Sequence, residues 1–210
     1  LSQHHYGELV ALDRSVGTLR RGLRELGLAD NTLLWFCSDN GGLPEISPST
    51  VNGLRGHKGS VFEGGLRVPG IIEWPAVIKQ PRITQYPAGT IDIFPTLADV
   101  LGLPSTVMLT PVDGSSLRPL FTADLATRAK PLAFHHQRRA AWIDNRYKLI
   151  QPNLAEEKFE LYDLVSDPAE SRDLSAAQPE VFARLRTALL AWNASVAASV
   201  AGQDYPERRV

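Results

Sequence analysis

Apolar positions along the first part of the chain change period twice, and each change predicts a new element. Between Tyr6 and Leu26, the residues Leu9, Leu12, Val16, Leu19, Leu23 and Leu26 recur at spacings of three and four, which puts them on one helix face and predicts a core-facing helix. Gly27 supplies the stop, and Asp30 or Asn31 the turn into a strand over 32–38. Leu33-Leu34-Trp35-Phe36-Cys37 is a continuous apolar run, the pattern of a parallel strand covered on both faces, and such strands present function at their carboxyl ends. From Gly41 to Pro69 the chain is rich in Gly, Pro, Ser and Asn and has no period, and a connection of that length is usually functional. Strand character returns at Val68-Pro69-Gly70-Ile71-Ile72-Glu73. Asp92 is placed to cap a short helix carrying Ile93, Phe94, Leu97, Val100 and Leu101, with Pro95 in its first turn and Gly102 at its end. Asp113-Gly114-Ser115-Ser116-Leu117 reads as a turn and cap before another short helix.

After about Ala123 the pattern shifts to short strands over 132–137, 140–143, 147–151 and 159–163. Asp144-Asn145 turns one hairpin, while Asp167-Pro168 and the following Glu170 read as local turn chemistry. Pro179 opens a final helix whose apolar face, Val181, Leu185, Leu189, Trp192 and Val196, is suited to lie on that sheet. The predicted organisation is an α/β core over 1–123 and a smaller α+β subdomain over 124–210. His135 and His136 are consecutive in a strand, point to opposite faces and do not make a pair of ligands for one metal. His4 and His5 precede the first apolar repeat and receive no role.

Composition narrows the function classes. The 210 residues suffice for a substantial core; 43% hydrophobic and 21% charged residues with a net charge of −1 give no electrostatic preference for nucleic acid or anionic lipid, so binding must come from local sites. No stretch approaches the roughly 18 apolar residues that span a bilayer. The first residues have neither the basic start nor the apolar region of a targeting signal, and the chain begins without Met, which leads to the expectation of an internal cut. The single cysteine, Cys37, excludes an internal disulfide and is read as an inert thiol inside the strand.

Candidate chemistry collects where the apolar run stops. Asp39 and Asn40 offer a carboxylate and an amide carbonyl, hard oxygen donors of the kind Ca²⁺ or Mg²⁺ prefers, and Gly41-Gly42 lets the backbone turn away; Asp-Asn-Gly is equally good turn chemistry. Lys58 lies between Gly56 and Gly59, so backbone can approach a ligand closely while the ammonium supplies up to three donors to an oxyanion; a solvated surface lysine has the same appearance in sequence. His57 beside it is a candidate pocket residue. Glu63 and Arg67, four apart, read as scaffold for the loop.

Asp39-Asn40-Gly41 after the apolar strand, Arg55-Gly56-His57-Lys58, and Glu63-Gly64-Gly65-Leu66-Arg67-Val68-Pro69 together resemble the type I sulfatases of the alkaline-phosphatase-like superfamily. Ile91-Asp92-Ile93-Phe94-Pro95-Thr96-Leu97 and Glu160-Leu161-Tyr162-Asp163-Leu164 extend the resemblance, which matches the later part of a complete sulfatase. It implies a partial sulfatase sandwich core followed by a small antiparallel sheet and helix. It further implies that Asp39 and Asn40 are the family's later pair of calcium ligands, and that Lys58 contacts the sulfate near the leaving oxygen of an aryl or carbohydrate sulfate ester. The family's nucleophile is a formylglycine made within Cys/Ser-x-Pro-x-Arg. Cys37-Ser38-Asp39-Asn40 does not match that motif, so no nucleophile is assigned here, the chain alone is expected to be inactive, and the family's earlier part becomes the expected partner. The family also implies a periplasmic or secreted setting. Two alternatives stay open: a phosphodiesterase or phosphonate hydrolase of the same superfamily, and a non-catalytic domain binding an anion or a partner.

Overall fold

Helix α1 (Ser2–Glu25) begins at the amino end of the chain, and His5 N–H already donates to Leu1 O at 3.0 Å. It closes on Gly27 (φ +69°), where Leu28 N–H donates to Leu23 O and Gly27 N–H to Arg24 O, the pair of bonds that satisfies terminal carbonyls when a glycine turns left-handed. The computed structural model describes residues 1–203, folded as two units: one from Leu1 to Ile83, the other from Thr84 onward.

In the first unit, β1 (Leu34–Cys37) pairs with β2 (Gly70–Glu73). The pairing is antiparallel, with Leu34 opposite Glu73 and Cys37 opposite Gly70, and every residue of β1 is only half-buried. This corrects the expectation of a parallel strand covered on both faces: an unbroken apolar run records what a strand is able to bury, not the direction of its neighbour. The core-facing reading of α1 is corrected too, since none of its residues is buried and Leu9, Leu12 and Leu19 are each almost half exposed. Length explains this: 24 residues of helix span about 36 Å, whereas two four-residue strands span about 13 Å each and cannot cover the stripe. Polar contacts fasten α1 instead. Arg20 holds Glu73 of β2 through two parallel bonds of 2.7 and 2.9 Å, and Tyr6 Oη donates to Pro48 O at 2.7 Å. The Arg20 guanidinium holds the Glu73 carboxyl below the usual carboxylate range.

The long segment after β1 is irregular apart from one helical turn, α2 (Glu63–Leu66), in which Glu63 is buried. In the second unit, α3 (Ile93–Val100) follows a 3₁₀ turn over Thr90–Asp92. Asp92 does not cap α3 with its side chain. It is fully buried, accepts from Gly89 N–H at 2.9 Å and Ser115 N–H at 2.8 Å, and takes a two-bond grip from Arg128 at 2.7 and 2.8 Å. A carboxylate this deep needs a cation, and Arg128 outweighs the local cap because it satisfies the charge as well as a hydrogen bond. The expected division at 123/124 lies inside this second unit, whose segments before and after it are tied by that pair.

Strands β3 (Leu132–His136), β4 (Arg139–Asp144), β5 (Tyr147–Gln151) and β6 (Glu160–Asp163) form an antiparallel meander in sequence order, and helix α4 (Pro179–Val200) lies on it. Ala140, Leu149, Leu161, Leu185 and Leu189, each fully buried, make the contact, with Trp142 edge-on to Trp192 and Phe159 to Phe182. On the opposite face of β5, Lys148 and Glu170 form a completely buried ion pair at 2.8 Å. Glu170 therefore does more than follow a turn: it adopts φ +55° and reaches back to β5.

Candidate functional site

Asp39 and Asn40 emerge at the carboxyl end of β1, both exposed. Ser38 Oγ donates to Asn40 O at 3.0 Å, and Asn40 Nδ2 donates to Asp39 Oδ2 at 2.7 Å. Ser38 Oγ also lies 3.5 Å from Asp39 Oδ1, and Asn40 Oδ1 is left as the amide oxygen of an exposed residue on the same turn.

Close backbone packing brings Lys58 to that turn, 16 positions from Gly42. Lys58 N–H donates to Gly42 O at 3.0 Å, Gly41 N–H donates to Gly65 O at 2.9 Å, and Gly64 N–H donates to Arg55 O at 2.7 Å. Three stretches, 40–42, 55–58 and 64–65, thus lie main chain against main chain. Two glycines are required by that closeness: a Cβ on Gly41 would stand 1.8 Å from Gly64 O, and one on Gly64 would stand 2.3 Å from Gly56 O. Arg55 also stacks its guanidinium over Phe62 at 3.9 Å, on the stretch that leads into α2.

What is joined is backbone. Among the described residues no bond links the Lys58 side chain to Asp39 or Asn40, and Lys58 is exposed, so its ammonium is available to an external anion. His57, also exposed, has its backbone held at both polar atoms by one hydroxyl: Ser60 Oγ accepts from His57 N–H at 3.3 Å and donates to His57 O at 2.8 Å. The His57 ring bonds Lys58 O through Nδ1 at 2.8 Å. Cys37 lies in β1, half-buried.

The donor chemistry at Asp39 and Asn40 suits a hard divalent cation but supplies only part of a shell of about six to eight oxygens. Among the described residues no group of three or more His, Cys, Asp or Glu side chains is arranged to hold a metal. The residues sequence reasoning overlooked in this unit are Arg20, which grips Glu73, and Ser60, which holds His57. A bidentate partner 53 residues away leaves no local pattern, although Arg-Gly-His-Lys-Gly-Ser does contain the serine that closes its own turn.

The sequence matches two family descriptions, "Sulfatase" over residues 3–103 and "N-sulphoglucosamine sulphohydrolase, C-terminal" over residues 57–194. It is 31% identical to a sulfatase of Formosa agariphila across 91% of this chain and 40% of that protein. It is likewise 31% identical to an N-acetylgalactosamine-6-O-sulfatase of Bacteroides thetaiotaomicron, across 84% of this chain and 39% of that one. Among solved structures, Ps i-CgsB in complex with k-i-k-neocarrahexaose aligns with a TM-score of 0.77 and 26% identity, across 91% of this chain and 43% of that chain. The chain thus spans about two-fifths of the length of these relatives. Among the described residues no helix is long and apolar enough to cross a membrane.

Proposed function

Since this chain belongs to the sulfatase family, with the alkaline-phosphatase-like fold of its structural relatives, we propose that it supplies the anion-holding half of a site that hydrolyses sulfate esters. The observation that supports this most is the bond from Lys58 N–H to Gly42 O, which holds the main chain of an exposed lysine beside the turn that carries Asp39 and Asn40. In this reading Lys58 directs up to three donors at the sulfate and offsets charge on the leaving oxygen. Asp39, through its carboxylate, and Asn40, through Oδ1, hold part of the shell of a Ca²⁺. A divalent cation there supplies polarisation of the sulfate oxygens. The covalent nucleophile comes from the earlier part of a sulfatase polypeptide, which also covers the apolar stripe of α1. The preferred esters are carbohydrate sulfates, a reading supported by the carbohydrate named with two of the relatives.

The test is a titration of the chain with ethyl sulfate in the presence of CaCl₂, followed through backbone amide resonances. Saturable shifts centred on residues 39–42 and 57–60 are expected, with affinity lowered about tenfold or more in Lys58→Ala, the worth of a charge-assisted bond. Unchanged affinity in that variant, or shifts confined to the sheet of β3–β6, would overturn the reading.

A further inference from the structure

Resting on that reading of the site, we propose that His57 selects substrates bearing a hydroxyl next to the sulfate, because the fold fixes its imidazole as a hydrogen-bond acceptor. The argument starts from the bond between His57 Nδ1 and Lys58 O. A carbonyl oxygen has no proton to give, so the ring nitrogen must donate, and the proton of the neutral imidazole sits on Nδ1. Nε2 is then the bare lone pair. The ring is on an exposed residue, and Ser60 Oγ pins the peptide that carries it at both N–H and C=O. One residue on, the Lys58 ammonium is a donor only. The pair Lys58 and His57 therefore presents complementary functions side by side: a cation for the sulfate oxygens, and an acceptor for a neighbouring O–H. A sugar sulfated at a ring hydroxyl such as O3 carries both partners on adjacent carbons. A simple alkyl or unsubstituted aryl sulfate carries only the first and leaves Nε2 to water.

Two measurements on the whole chain decide it. In ¹⁵N spectra at about pH 8, where imidazole is ordinarily neutral, His57 should show a protonated Nδ1 and an unprotonated Nε2; the reverse assignment would overturn the proposal. In titrations at the same pH with CaCl₂ present, glucose 3-sulfate, whose C2 and C4 hydroxyls flank the sulfate, should bind about three- to tenfold more tightly than ethyl sulfate, the range for one added neutral hydrogen bond. His57→Phe should erase that preference, and His57→Gln, which regains an acceptor oxygen, should restore part of it. Equal affinities in the unaltered chain, or a preference that survives His57→Phe, would refute the role of His57 while leaving Lys58 as an anion site. Failure of both sulfates to bind would refute the site reading and this inference with it.

Discussion

Single side chains in this protein divide into those whose meaning is local and those whose meaning depends on a distant partner. Asp39, Asn40 and Lys58 stood out in sequence because abrupt polarity after an apolar run and a lysine between glycines are local patterns. Asp92 looked like a cap for the same local reason, and its buried grip on Arg128 was invisible because nothing near either residue announces the other. Asp92→Ala should cost about 3–5 kcal/mol, the penalty of leaving a buried guanidinium unpaired, measured by urea unfolding. A loss under 1 kcal/mol would show the pair to be dispensable. Asp163 gives a pH signature. Its hydrogen bond from Arg146 is the largest cause lowering its carboxyl to about 2, with further bonds from Ser166 Oγ and Val165 N–H. A lowered native value means that the charged form is the favoured one when folded. Its contribution is thus complete above the ordinary carboxylate range and fades as pH falls toward about 2. The stability difference between the unaltered chain and Asp163→Asn should hold steady from pH 7 to about 5 and shrink below pH 4; a difference independent of pH would contradict the assignment.

At the scale of elements, the helices and short strands followed their periodicities, whereas pairing direction and burial did not. The meander of β3–β6 was legible because alternation, a hairpin turn and a final amphipathic helix all agree, and Leu185 and Leu189 bury fully against it as their spacing requires. The direction of β1 against β2 was not legible, since 32 residues, irregular apart from the one turn of α2, separate them and an apolar run fits either direction. The backbone packing of 40–42, 55–58 and 64–65 had a sequence trace in its glycines, but their role as contact points became clear only from which carbonyl each one meets. Gly41→Ala should therefore disturb the loop rather than the fold: amides at 57–58 and 64–65 should lose hydrogen-exchange protection, while those of β3–β6 keep theirs. Unchanged protection at 57–58 would mean that the loop does not depend on this contact.

For the whole molecule, the uncovered stripe on α1 is the largest departure from what periodicity implied. In this chain it is not core, so Leu12→Lys and Leu19→Lys should leave the unfolding midpoint of the chain within the ordinary ±0.5 kcal/mol of surface changes. In a sulfatase-length polypeptide that buries the stripe, each should destabilise by about 2 kcal/mol or more. The same division of labour governs activity. On the proposed reading, a lysine and a cation held by two oxygen ligands bind the sulfate but offer no covalent route through the displacement, so hydrolysis requires a nucleophile from elsewhere. Turnover of an aryl sulfate with CaCl₂ tests this most directly, comparing the chain alone with a longer polypeptide that adds a Cys/Ser-x-Pro-x-Arg segment and is co-expressed with a formylglycine-generating enzyme. The account predicts no detectable turnover by the chain alone and clear turnover by the longer polypeptide, falling about 10²–10³-fold in Lys58→Ala; comparable turnover by the chain alone, or a Lys58→Ala rate equal to that of the unaltered polypeptide, would contradict it.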